Sequence, residues 1–193
     1  MKTFFAVGLL LLSSAVRAQS PAESGLESTC LPTAPLATLR AVIQVESSGN
    51  PNAMQVDFPK VLLQRWKLPE GTIRLKRQPT NQREALDWLV YFQSYDIFVD
   101  VGLMQVSTAE AKRRGISPES LLEPCTNLRV GWQILEDDYR IERQIHGPGQ
   151  EALRHAISRY NTGDAQRGIA NGYLGRVLAA VQGLRAGPRT TSR

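Results

Sequence analysis

Cysteine and histidine are scarce in this 193-residue chain, with two of each: Cys30, Cys125, His146 and His155. Neither a Cys-x-x-Cys nor a His-x-x-x-His spacing occurs, so no metal site is expected and no cofactor is assigned. No Gly-x-Ser-x-Gly string is present, which leaves a nucleophile-elbow serine hydrolase without support. Long apolar runs are missing too: the stretch from Phe4 to Leu12 is too short for a stop-transfer helix. No internal repeat is visible, and no strand-like run stands out beyond a short one after residue 55. The net charge is +5, which suits an anionic polymer or a membrane face. Without a recognised nucleic-acid motif, nucleic acid is not the expected partner.

What is present begins with a leader. Lys2 gives a positive start, Phe4 to Leu12 an apolar core, and Ala15-Val16-Arg17-Ala18 a small-residue exit. Residues 1–18 are therefore expected to be a signal peptide, with an uncleaved anchor as the alternative. Its removal leaves a chain of one-domain size, long enough to bury a core and with no stable membrane span. In an exported protein two cysteines most simply form one disulfide, and two free thiols are the alternative. A Cys30–Cys125 bond would close a loop of about ninety-five residues and stabilise by roughly 4 kcal/mol in the chain-entropy model.

The pattern reads as mostly helical. Pro35 to Glu46 is the first expected helix, after an irregular segment to Thr33, and Gly49 to Lys60 reads as loop. From about 55 to 98 the chain is polar and punctuated in its first half, with a small apolar element at Val61, Leu62, Leu63 and Trp66. Arg74 to Arg77 there reads as a solvated loop face rather than a binding patch. Glu84 to Phe92 is a candidate amphipathic helix. Ser107-Thr108-Ala109-Glu110 forms a capping box for a short helix ending at Gly115, and Ser117-Pro118-Glu119 opens another. Thr126 to about Ile145 is expected to be a long central helix. Its apolar residues fall on two faces, Leu128, Leu135 and Tyr139 on one and Val130, Ile134 and Ile141 on the other. Gln150 to Arg159 and Ile169 to Leu184 follow as helices, and the polar tail over 186–193 is expected to be disordered.

Glu46 stands out within this pattern. Leu36, Leu39, Val42 and Ile43 recur at helical spacing, and Glu46 continues their stripe at i+3 from Ile43. A carboxyl on a core-facing stripe is desolvated, which raises its pKa toward the range of a general acid. The helix then stops at Ser47-Ser48-Gly49-Asn50-Pro51, with Gly49 as the expected cap. Glu46 would thus end a helix at the lip of a cleft. The alternative is an ordinary last-turn Glu whose carboxylate reaches solvent.

Three strings occur in order: Glu46-Ser47-Ser48-Gly49-Asn50-Pro51, Gly102-Leu103-Met104-Gln105, and Ser158-Arg159-Tyr160-Asn161-Thr162-Gly163. With Tyr173 in a following helix, the set resembles the lytic transglycosylases that have the lysozyme-like fold. Asp100-Val101 before the second string and Glu123-Pro124-Cys125-Thr126-Asn127-Leu128 are similar to the branch serving conjugation, type IV secretion and pilus assembly. The resemblance implies a mostly α, goose-type-lysozyme-like (SLT) helical domain over 19–185. Between its first two motifs lies an unusually long insert, at about 55–98. It also implies the Cys30–Cys125 disulfide, which that branch often carries.

The implied activity is cleavage of the β-1,4 bond between N-acetylmuramic acid and N-acetylglucosamine, with formation of a 1,6-anhydro sugar. Glu46 would be the catalytic acid and then base, with no second carboxylate. Gly102, Met104, Gln105, Ser107, Tyr160, Asn161 and Tyr173 would form the substrate side of the site. For several of these an alternative stands beside the binding role. Met104 and Tyr173 could simply pack the core, Ser107 could be a helix N-cap, and Asn161 could belong to a helix stop before Gly163. Asp100 reads as a turn residue, though facing Glu46 it would permit hydrolysis by water. The implied setting is the periplasm, with peptidoglycan strands as partner, a conjugation or secretion machine as possible second partner, and a monomeric chain. A muramidase and a peptidoglycan-binding assembly factor with little turnover are the competing readings.

Overall fold

The computed structural model describes residues 25–57, 73–75 and 77–186. The leader, the apolar element at 61–66 and most of the expected tail lie outside them. The segment read as irregular holds a short helix, α1 (Leu26–Cys30). The expected first long helix is α2 (Leu36–Ser47), which buries Leu39, Ala41, Val42 and Ile43. Its left-handed cap is Ser48, φ 55°, and not Gly49, which continues the turn at φ 80°. Ser47 then donates from Oγ to the Leu103 carbonyl at 2.8 Å, fixing the end of α2 against a distant hairpin.

That hairpin belongs to a sheet absent from the sequence reading. Four short strands, β1 (Met54–Asp57), β2 (Ile73–Arg74), β3 (Phe98–Val101) and β4 (Val106–Ser107), pair antiparallel in the order β2-β1-β3-β4. Residues read as loop at 49–60 therefore include β1, and Asp100, read as a turn residue, is in β3 opposite Gln55 and Ser107. With two to four residues each, these strands are too brief to show alternation in the sequence. They sit over the core through Met54, Val56, Val99, Val101 and Val106, all buried.

Between β1 and β3 the insert forms helix α3 (Gln82–Gln93). Its Asn81 cap accepts from the Glu84 N–H, and Ala85 and Leu89 are buried. Arg77, read as loop surface, pairs with Glu84 and lies over the Trp88 ring. The hairpin is followed by α4 (Thr108–Arg113) and a 3₁₀ turn over Pro118–Leu122.

The long helix α5 (Pro124–His146) starts where Pro is tolerated at the first turn, and the Glu123 carboxylate accepts from the N–H groups of Cys125 and Thr126. Its first half is buried on both faces through Leu128, Val130 and Leu135. The second half is not: Ile141 and Ile145 are 46% and 67% exposed, while Glu142 is turned inward. The expected long central helix is thus buried on both sides only over its first half and packs on a single side beyond its middle.

Helix α6 (Gln150–Thr162) returns along α5 and ends at Gly163, φ 70°. The expected final helix is split in two. A short α7 (Arg167–Ala170) stops at Asn171 and at Gly172, φ 79°, before α8 (Tyr173–Ala186) packs on α2. Asn171 Oδ1 accepts from the Tyr173 N–H at 2.9 Å, so the break caps α8 and sets Tyr173 as its first residue. A disulfide joins Cys30 at the end of α1 to Cys125 at the start of α5, with Cα atoms 5.2 Å apart.

Candidate active site

Glu46 enters a cleft from the last turn of α2. The cleft measures ≈ 220 Å³ and is lined by Glu46, Ser47, Asn50, Gln55, Gln78 and Gln105, among others. The Glu46 carboxyl is half-buried, and burial lifts its pKa from the ordinary 4.5 to about 7. Three neighbours modulate that effect. The Tyr173 phenol donates to Glu46 Oε1, a hydrogen bond that favours the ionised form. Nearby Asp100 raises the pKa further by charge repulsion, and Arg176 lowers it. Arg176 also lies over the Tyr173 ring, 5.6 Å from its centre. Burial and the adjoining carboxylate in turn hold the Tyr173 hydroxyl far above the ordinary range, so it remains a donor. At neutral pH the site therefore has a carboxyl about equally able to give and to take a proton.

The four residues Gly102 to Gln105 form the β3–β4 turn, held by three helices and by Ala53 just before β1. The Gly102 N–H donates to the Ala53 carbonyl at 2.8 Å. Ser47 of α2 caps the Leu103 carbonyl, and Tyr160 of α6 donates from its hydroxyl to the Met104 carbonyl at 2.7 Å. Asn127 of α5 accepts from the Met104 N–H at 2.9 Å and donates to the carbonyls of Val101 and Leu121. Gly102 has φ 80°, and a Cβ there would meet Asn127 Nδ2 at 2.3 Å, so both its backbone and its neighbour demand glycine. Gln105 takes φ 47°, donates from Nε2 to the Ala53 and Gly102 carbonyls, and lines the cleft.

The other residues named from sequence divide clearly. Met104 is fully buried, in the packing alternative; its side chain fits because α5 carries Gly131, where a Cβ would stand 2.7 Å from Met104 Sδ. Tyr160 packs beside it, its hydroxyl 3.1 Å from the same position, and burial with the charges of Glu46, Asp100 and Asp138 keeps the phenol protonated. Ser107 caps α4, accepting from the Ala109 N–H at 3.3 Å, and Asn161 is exposed at the end of α6 with its Oδ1 bonded to Asn171. Glu46 and Gln105 thus line the cleft, with Tyr173 buried behind the acid. Tyr160 and Gly102 support its wall, and Ser107 and Asn161 act as parts of helix ends.

Sequence reading passed over Gln55, Gln78, Arg176 and Gly131. Gln78 bonds both backbone groups of Met54, at 2.7 Å and 3.0 Å, like one more strand residue. No sequence pattern marks it. Arg176 did carry a signal, since it stands one helical turn after Tyr173.

The model of the transglycosylase SLT domain matches residues 26–176. Among curated proteins, the chain is 34% identical over 155 residues to Protein virB1 of Agrobacterium fabrum, covering 80% of this chain and 57% of that protein. It is 32% identical over 163 residues to the type IV secretion system protein virB1 of Brucella abortus, covering 81% and 62% respectively. The chain thus spans rather less than two thirds of the length of these relatives. No solved structure matches it significantly. Because the matched span runs from α1 into α8 and takes in the acid, the hairpin turn and the tyrosine beneath them, the chain belongs to the transglycosylase SLT domain family, with its mostly helical, lysozyme-like domain.

Proposed function

We propose that this protein is an exported lytic transglycosylase that opens peptidoglycan locally for a type IV secretion, conjugation or pilus apparatus. The observation that carries the reading is the Glu46 carboxyl, lifted to about 7 in an open cleft and bonded by a phenol that stays protonated. Glu46 delivers its proton to the glycosidic oxygen as the bond to the muramic acid C1 breaks. The acetamido oxygen of that sugar covers the developing cation at C1. Its 6-hydroxyl then attacks C1, and the Glu46 carboxylate removes the hydroxyl proton, closing the 1,6-anhydro ring and restoring the acid. Tyr173 steadies the carboxylate between the two steps, and Gln105 presents its amide oxygen to the sugar. Family membership and the secretion-system names of the relatives support the setting. Residues 1–18 would direct export to the periplasm, and 19–185 would form the catalytic domain.

A specific observation favours a second reading. Asp100 is close enough to raise the Glu46 pKa, so a second carboxylate borders the site and could activate water for simple hydrolysis. Digestion of purified sacculi by the mature protein and by Glu46→Gln, read by mass spectrometry, separates the readings. Anhydro-muropeptides from the wild type and none from the variant are expected. Hydrated reducing ends would make the protein a muramidase using Asp100. Release from neither would point to a binding and assembly role.

A further inference from the structure

Away from the cleft, where α5 ends and α6 begins, Glu142 is a carboxylate with no exposed surface. Arg159 takes one of its oxygens, reaching Oε1 through Nε at 2.8 Å and through a terminal nitrogen at 2.5 Å. The other oxygen, Oε2, is buried and has no hydrogen-bond partner. His146 Nε2 stands 3.5 Å from it without forming a hydrogen bond. The His146 ring stacks on His155 of α6, with centroids 4.1 Å apart and planes 11° from parallel. His155 Nδ1 lies 3.0 Å from the Ala165 carbonyl, a contact in which Nδ1 is the donor, so Nε2 is the nitrogen an ion would meet.

From this cluster we infer that Glu142, His146 and His155 form a binding site for a divalent transition-metal ion of the zinc type. One donor atom from each of the three lies within 4.8 Å of the others. Two ligands of a single tetrahedral zinc stand about 3.3–3.5 Å apart, so the Glu142–His146 pair already has ligand spacing. His155 joins the same centre by turning its ring out of the stack, because two nearly parallel imidazoles cannot both aim a nitrogen lone pair at one ion. Two imidazole nitrogens and one carboxylate oxygen suit zinc and its neighbours, whereas magnesium and calcium call for oxygen ligands throughout.

The supporting shell is in place as well. Arg159 fixes the Glu142 carboxylate from behind, and the Ala165 carbonyl orients the His155 ring. Glu151, whose Oε1 is 3.3 Å from His155 Nε2, is placed to be a fourth ligand. His146 is partly exposed, which gives the ion a path in. The ion would clip α5 to α6 across the Gly147–Gly149 turn. A count of cysteines and histidines argued against a metal. It left out the carboxylate, one helical turn from His146, that completes the set.

Calorimetric titration of metal-stripped, disulfide-intact protein with zinc chloride, paired with thermal melts, tests the inference. The wild type should take up one ion per chain and melt at a temperature that rises with zinc concentration. His146→Ala should weaken the binding by at least about tenfold and abolish the rise, while its metal-free melt matches the wild type. If the metal-free variant melts lower, His146→Gln, which keeps more of the side-chain volume, replaces it. Absence of zinc uptake by the wild type, or equal uptake by wild type and variant, would overturn the site and leave the three residues as an ion-pair cluster.

Discussion

Replacing Glu46 by Gln should make the protein more stable at pH 8 while removing its candidate acid. The sign follows from the direction of the pKa change. In the unfolded chain Glu46 ionises near 4.5, but in the fold it holds its proton up to about 7. Between those values the native state binds more protons than the unfolded one, so this group's contribution to stability falls as pH rises through the window and is fully unfavourable above 7. At about 1.4 kcal/mol for each pH unit of that gap, the ionised carboxylate costs the fold about 3 kcal/mol. Gln removes the charge but keeps an oxygen for the Tyr173 phenol, and its amide still loses some solvation. A gain of roughly 1–3 kcal/mol remains at pH 8. For a domain of this size that is a rise of about 3–8 °C in Tm. Melts of wild type and Glu46→Gln at pH 8 and pH 4 read the effect directly, because the gain should vanish at the lower pH, where both side chains are neutral. An equal or lower Tm for the variant at pH 8, or the same difference at both pH values, would refute the burial argument.

Two further outcomes follow from the same geometry. Tyr173→Phe takes away a hydrogen bond to the ionised form of Glu46, so the Glu46 pKa should climb above 7, by about 1 unit for a bond worth 1.5 kcal/mol. The alkaline limb of a pH–rate profile on solubilised sacculi should move upward with it, and an unmoved limb would show that the phenol does not steady the carboxylate. Gly131→Ala places a methyl 2.7 Å from the Met104 side chain and should cost about 1–3 kcal/mol in denaturant unfolding, with a loss of activity as the Gly102–Gln105 turn shifts. A variant as stable and active as the wild type would mean that Met104 repacks freely.

Much of the helical frame was legible because its signals are local. Apolar stripes, the Ser107 cap, Pro at the start of α5 and the glycine stop after α6 each act within a few residues. Glu46 was legible for the opposite reason, as the residue that breaks its own stripe. The sheet was not, because strands of two to four residues are too short to show alternation and take their meaning from partners elsewhere in the chain, as Met54 does from Val101. The split between α7 and α8 was also hidden: Asn171 and Gly172 interrupt a pattern that otherwise continues in register. Whether Tyr173 reached the acid or packed the core could not be read locally either. The structure has it do both, buried and bonded to a residue 127 positions earlier.

The turn at Gly102–Gln105 is suspended from Ala53, α2, α5 and α6 at once, each holding a different backbone group. It works as the keystone of an arch does: no member bears on it alone, and none can be withdrawn without slackening the others. A shift at any one of these anchors is therefore passed to the others and to Gln105 at the cleft wall.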